Sequence, residues 1–147
     1  MKKTLIRNLI TIAGLLTGAA LLNAGEVTIE LGGNDMMQFD KTELRVPAGS
    51  TVNLTLNHTG KLPKAAMGHN FVLLKAGTDV AAFAMKAVAA VATEYIPEGD
   101  AVIAHTALIG GGESTSVSFT APEAGTYDYI CSFPGHFAIM RGKLIVE

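Results

Sequence analysis

The sequence predicts an all-β protein: a Greek-key β-sandwich of seven or eight short strands with one inserted α-helix. Three observations lead there. Short runs such as Glu26-Val27-Thr28-Ile29-Glu30-Leu31 and Val52-Asn53-Leu54-Thr55-Leu56 alternate polar and apolar residues, the period of a half-buried strand. Clusters of Gly, Pro, Asn and Asp separate these runs at short intervals. One Ala-rich stretch alone, Asp79 to Thr93, changes to three-and-four spacing, so strands and helices do not alternate as a βαβ fold requires.

Taken in order, the chain begins with a segment that reads as a secretory signal over residues 1–24. Lys2, Lys3 and Arg7 supply its positive start, and Leu9 to Leu22 is an apolar run too short to span a bilayer comfortably. Cleavage after Ala20 fits the small-x-small rule through Gly18; cleavage after Ala24 would put Leu22 in the inner small position. The remainder, residues 25–147, is long enough for one domain with a true core. An exported chain is expected in the periplasm, with no stable membrane insertion. A first strand from Glu26 is ended by Gly32-Gly33-Asn34-Asp35. Short extended pieces follow around Met37–Phe39 and Leu44–Val46, then a turn at Pro47-Ala48-Gly49 and a strand from Val52 to His58. Thr59 to Lys64 reads as a loop because it holds Gly60 and Pro63, and Gly68 to Lys75 resumes as a strand.

In the Ala-rich stretch, Val80, Phe83, Ala84, Ala87, Val88 and Val91 share one helical face, and Thr78 and Asp79 are suitable N-caps. That face is expected to cover the outside of the β domain. Val102 to Ile109 is extended but irregular, Gly110-Gly111-Gly112 turns the chain, and strands at Thr115–Thr120 and Tyr127–Cys131 lead to a final strand around Lys143–Val146.

Charge excludes one class of partner. There are 11 Lys and Arg against 13 Asp and Glu, and three of the basic residues lie inside the signal. The acidic remainder has no electrostatic reason to bind nucleic acid. Cysteine is informative through its count of one. An exported chain with a single Cys cannot form an internal disulfide, and burial or metal ligation would protect the thiol from oxidation.

That Cys opens the stretch Cys131-Ser132-Phe133-Pro134-Gly135-His136-Phe137-Ala138-Ile139-Met140, spaced C-x4-H-x3-M between two strands. Thiolate, imidazole and thioether together suit copper, and two His, one Cys and a weak axial Met describe an electron-transfer copper centre. The loop lacks only the second His, for which His58, His69 and His105 are the candidates. His69 opens a buried-type strand, Met67-Gly68-His69-Asn70, and the sixty-odd residues between it and Cys131 are no obstacle, because closure cost grows slowly with loop length. Competing readings are weaker. Zinc rarely takes a Met ligand, and a Cys–His hydrolase would need an orienting acid that no motif supplies.

Several segments then resemble the azurins and the related auracyanins, members of the cupredoxin family. They are Leu62-Pro63-Lys64, Met67-Gly68-His69-Asn70-Phe71-Val72-Leu73, Val102-Ile103-Ala104-His105-Thr106 and Cys131-Ser132-Phe133-Pro134-Gly135-His136. The resemblance runs from about Glu26 to Glu147. It implies a cupredoxin fold, one type 1 copper ion and outer-sphere electron transfer without enzymatic turnover. Position by position, it implies His69, Cys131 and His136 as copper ligands, Met140 as the axial thioether and the Gly68 carbonyl as a weak opposite contact. It implies that Asn70 ties the ligand segments together, that Phe133 shields the sulfur and that Pro134 withholds a backbone donor from it. It implies a monomer whose redox protein partners dock at an apolar patch of Met67, Phe137, Ala138 and Ile139 around His136. His58 matches a non-ligand His near the site, and His105 one at the surface. A copper-delivery or storage role with the same ligands is the alternative.

Two departures stand out. Val27 and Gly49 occupy the region of the family's disulfide, and Phe71 replaces its buried Trp. An uncompensated disulfide loss costs about 2–4 kcal/mol.

Overall fold

The computed structural model describes residues 25–147, and the expected signal lies outside the described residues. Eight strands make two sheets packed face to face. β1 (Glu26–Gly33), β3 (Thr51–His58) and β6 (Ser114–Thr120) form one, in the order β1-β3-β6. β2 (Glu43–Val46), β8 (Arg141–Val146), β7 (Gly125–Ile130), β4 (Val72–Leu74) and β5 (Val102–His105) form the other, in the order β2-β8-β7-β4-β5. Period-two patterning explains the core between them. Ile29 and Leu31, Val52, Leu54 and Leu56, and Leu144 and Val146 all point inward, joined by Phe71, Tyr127 and Tyr129.

The sheets are mixed. β1 pairs with β3 and β2 with β8 in parallel, while the other ladders are antiparallel. The chain leaves the first sheet after β1, forms β2 on the second and returns as β3. β1 and β3 therefore meet by a crossover, the only connection that places parallel strands side by side.

The expected helix is present but shorter. α2 (Val80–Ala89) starts at Asp79, whose carboxylate accepts the Ala82 N–H at 2.9 Å, and it gives way to a 3₁₀ turn at Val91–Thr93. Its Phe83 packs with Val72, Leu74 and Ile130 on the outer face of the second sheet. Lys64–Met67, following the loop expected to Lys64, is a single helical turn, α1, beginning after Pro63. The strand expected from Gly68 is regular only from Val72; His69 before it makes an isolated bridge with Ile109. Around Met37 the chain turns with φ 55°, leaving a single bridge at Phe39 instead of a strand. Phe71 is fully buried against Phe119 and Tyr129 and fills the centre of the core.

Candidate metal centre

Among the described residues, one group of His, Cys and acidic side chains gathers closely enough to hold an ion: His69, Cys131 and His136, whose ligand atoms lie within 4.8 Å of one another. All three are buried. Cys131 follows β7 directly, and its N–H donates to the Met140 carbonyl at 2.9 Å, closing the loop that also carries His136. Within the loop, Gly135 adopts φ 84°, which favours glycine, and a 3₁₀ turn at His136–Ala138 follows. The Met140 N–H donates to the His136 carbonyl at 2.8 Å. Met140 is fully buried. Its methyl and the His69 ring both press on Gly33, where a Cβ would come within 2.9 Å of one and 3.0 Å of the other.

His69 arrives from the segment leading into β4, the strand paired with β7 in the second sheet. Its N–H and C=O both bond to Ile109, at 2.9 Å each. Its Nε2 donates to the Asn34 carbonyl at 2.8 Å, which leaves Nδ1 as the nitrogen with a lone pair. That Nδ1 lies 3.0 Å from the Gly68 carbonyl oxygen and 3.9 Å from Cys131 Sγ; His136 Nδ1 lies 3.5 Å from the same sulfur. The Gly68 oxygen is 3.7 Å from it. Two imidazole lone pairs, a carbonyl oxygen and a sulfur thus face a common point with no cationic side chain among them. A soft cation fits that donor set.

The electrostatics agree. Burial pushes the Cys131 thiol up to about 12, although the Asn70 and Phe133 backbone N–H groups pull in the other direction. Burial also depresses His136 to about 4, with the two neighbouring imidazoles adding to the effect, and burial lowers His69. Neutral imidazoles are ready to ligate, whereas the thiol needs a bound cation to ionise at neutral pH.

Asn70 joins the two halves. Its Oδ1 accepts the Ser132 N–H at 2.8 Å and its Nδ2 donates to Ser132 Oγ at 2.9 Å. Phe133 lies over the site, its ring 4.7 Å from that of His136 and 5.2 Å from Tyr95. Pro134 follows it, half-buried, with no N–H to offer the sulfur.

His58 stacks on His69 at 4.1 Å, but both of its nitrogens are engaged: Nδ1 accepts the Gly60 N–H and Nε2 donates to the Met67 carbonyl. It is a neighbour of the site with no free nitrogen. His105 is exposed.

Around His136, Ile139 is 53% exposed and Ala138 is exposed, Met67 is half-buried, and Phe137 is half-buried and packs on the Val72, Leu74, Phe83 and Ile130 cluster beneath α2. His136 shows only 3% of its surface. Met36 and Leu62, at 65% and 42%, add exposed apolar area on the loops that close over His69. Those loops are joined by Asp35, whose carboxylate accepts the Lys61 and Leu62 N–H groups and is held below its ordinary range chiefly by the first of these bonds. Gly33, Asn34, Asp35 and Ser132 were not singled out from the sequence. The turn cluster Gly32-Gly33-Asn34-Asp35 was the available signal, but a turn motif does not say what its carbonyls will face.

Residues 25–147 match the family described as copper binding proteins, plastocyanin/azurin family. Azurin-1 of Alcaligenes xylosoxydans xylosoxydans is 46% identical over 126 residues, covering 81% of this chain and 96% of that protein. The solved structure of auracyanin A, a "blue" copper protein from Chloroflexus aurantiacus, is 42% identical with a TM-score of 0.77, covering 84% of this chain and all of that one. An azurin from Methylomonas sp. strain J superposes with a TM-score of 0.73 at 37% identity, covering 82% and 98% of the two chains. Donor set, fold and likeness agree: this chain is a cupredoxin and belongs to the plastocyanin/azurin family of copper-binding proteins.

Proposed function

We propose that this chain is a periplasmic electron carrier that holds one type 1 copper ion through His69 Nδ1, His136 Nδ1 and Cys131 Sγ. Met140 and the Gly68 carbonyl would supply weaker contacts to it. The observation that carries the reading is the convergence of the buried donors of His69, Cys131 and His136, with the other ring nitrogen of His69 already engaged by Asn34. Bound copper supplies a one-electron Cu(II)/Cu(I) couple.

The chain's own residues keep that exchange inexpensive. His69 is oriented by Asn34, and the Cys131 backbone is locked to Met140. The Cys segment is further anchored to Asn70 through Ser132. Ligands that cannot relax reorganise little when the charge changes. Phe133 and the buried lining exclude water from the sulfur, and Pro134 limits the number of donors reaching it. The Asn70 and Phe133 N–H groups aimed at Sγ favour the thiolate once a cation is present. Electrons pass at the rim beside His136, where Ala138 and Ile139 are exposed and Met67 is half-buried. A small apolar contact of this kind suits brief encounters with redox proteins, and the chain acts as a monomer without catalysing a reaction of its own. Burial of every donor argues against ready copper handover, the alternative role.

The test is a titration of the mature protein with Cu(II). A strong visible thiolate-to-copper band should develop at one equivalent, bleach reversibly with reductant and be missing in Cys131→Ser. A colourless wild type, or a band that survives in Cys131→Ser, would sink the assignment.

A further inference from the structure

A pair of residues at the end of the helical segment touches segments on both sides of the site, through Lys64, Asn70, Leu108 and Phe133. Glu94 and Tyr95 are consecutive non-glycine residues with left-handed backbone, φ 53° and 66°. Bulky side chains seldom adopt this conformation, and it persists where surrounding contacts over-determine it. Here those contacts are explicit. The Tyr95 and Glu94 N–H groups cap the end of the helical segment on the Ala90 and Val91 carbonyls, at 2.8 and 3.2 Å.

From that turn Glu94 reaches three segments. Its carboxylate accepts the Leu108 N–H at 3.0 Å and the Lys64 ammonium at 3.2 Å, and its carbonyl accepts from Asn70 Nδ2 at 3.4 Å. Leu108 adjoins Ile109, which brackets the His69 backbone on both sides. The Leu108 side chain also backs onto Gly68, where a Cβ would lie 3.0 Å from its Cδ2. Lys64 begins α1, which delivers the Gly68 carbonyl. Asn70 fastens the Cys131 loop through Ser132. Tyr95 meanwhile sets its ring edge-on to Phe133, which covers His136.

The exposed ion pair to Lys64 contributes little by itself. The bond to the Leu108 amide is different. It is a charge-assisted bond to a backbone donor, it is the main reason the Glu94 carboxyl is held below its ordinary range, and it fixes where the backbone beside His69 runs. We infer that Glu94, seconded by Tyr95, is a positioning residue that holds the Gly68–His69 and Cys131–His136 halves in copper-ready register before the metal arrives. The inference rests on the copper reading above and adds a determinant of affinity and ligand geometry outside the donor set.

Glu94→Asn separates this role from backbone strain. Asn accepts the left-handed conformation but stops one methylene short of Leu108, whereas Glu94→Gln retains an acceptor of full length. Two quantities are read: hydrogen exchange of the Leu108 amide in the metal-free protein, and Cu(I) affinity by competition with a chelator, alongside the visible band of the Cu(II) form. Glu94→Asn should lose Leu108 protection, bind copper more weakly on the order of tenfold and shift the band, while Glu94→Gln restores all three towards wild type. Tyr95→Leu should shift the band with the Leu108 amide still protected.

Wild-type affinity and spectrum in Glu94→Asn would overturn the inference. So would equal loss in Asn and Gln, or a fall in thermal stability that is the same with and without copper while affinity is unchanged. If Glu94→Asn fails to fold, Tyr95→Leu decides, and an unchanged band there overturns it. A wild type that never turns blue instead overturns the copper reading, and Leu108 exchange still shows whether the clamp exists.

Discussion

Asn70 illustrates how much of the centre rests on single buried side chains. It is fully buried and its amide bonds both the Ser132 N–H and the Ser132 hydroxyl, tying the β4 side of the site to the Cys131 loop. Asn70→Ala would leave the Ser132 N–H and hydroxyl without partners in a dry environment, at a cost of about 1–3 kcal/mol. Urea unfolding of the metal-free protein should register that loss, and chelator competition should show weaker copper binding by at least tenfold, in the range of about 10–100. Unchanged affinity would mean that the loop holds its shape without this tie. Gly33 makes the complementary point. It needs no unusual backbone angle; its importance is the missing Cβ, which lets Met140 and His69 close on the same spot.

Among the elements, α2 is anchored along one face and at one end. Its apolar face covers Val72, Leu74 and Ile130, and its N-terminus depends on the single side-chain cap from Asp79. Asp79→Ala should destabilise the protein by about 1 kcal/mol, visible as a lower urea midpoint with the copper band unaltered, since the Asp79 carboxylate bonds the Ala82 N–H and no ligand-bearing segment. β4 has the opposite character. It is three residues long and buried throughout, yet it sits between β7 and β5 and so ties the Cys131 strand to the segment that pairs with His69. The helical turn α1 owes its position to backbone approach: a Cβ on Gly110 would come within 2.6 Å of Lys64 N.

For the molecule as a whole, pH dependence follows from the neutral imidazoles. His136 is depressed to about 4 and His69 is lowered, both chiefly by burial, from an unfolded value near 6.5. The unfolded chain therefore binds more protons than the folded one in the window between these values, and stability rises with pH across it. Metal-free protein should be most stable above pH 6.5 and lose stability as pH falls towards about 4. Thermal midpoints of His136→Gln should show a flatter profile over the same range; an equally steep one would locate the acid sensitivity elsewhere. The missing disulfide belongs here too. Gly25, Gly49, Ser50 and Ala121 instead join the ends of β1, β3 and β6 by backbone bonds, as Thr51 N–H to Gly25 O at 3.1 Å, Gly49 N–H to Ala121 O at 3.1 Å and Ala121 N–H to Ser50 O at 2.8 Å.

Most strands, the helix and the C-x4-H-x3-M loop could be read from the chain, because periodicity and ligand spacing are local properties. The single Cys pointed to a protected thiol for the same reason, and the match of short segments to the cupredoxins indicated His69 among three candidate histidines. The shortened helix, the one-turn α1 and the packing of Phe137 beneath α2 were not legible, since each depends on what packs against it. Nor was the ring of supports: Asn34, Asp35, Ser132 and Glu94 are ordinary turn residues until sheet order places them around the site. Parallel pairing of β1 with β3 is of that kind, because direction across a ladder is decided by which sheet the intervening strand joins. Local order in the chain specifies which residues can ligate. Their convergence on one buried point depends on strand register and crossover, which belong to the packed molecule and leave no periodic trace in its residues.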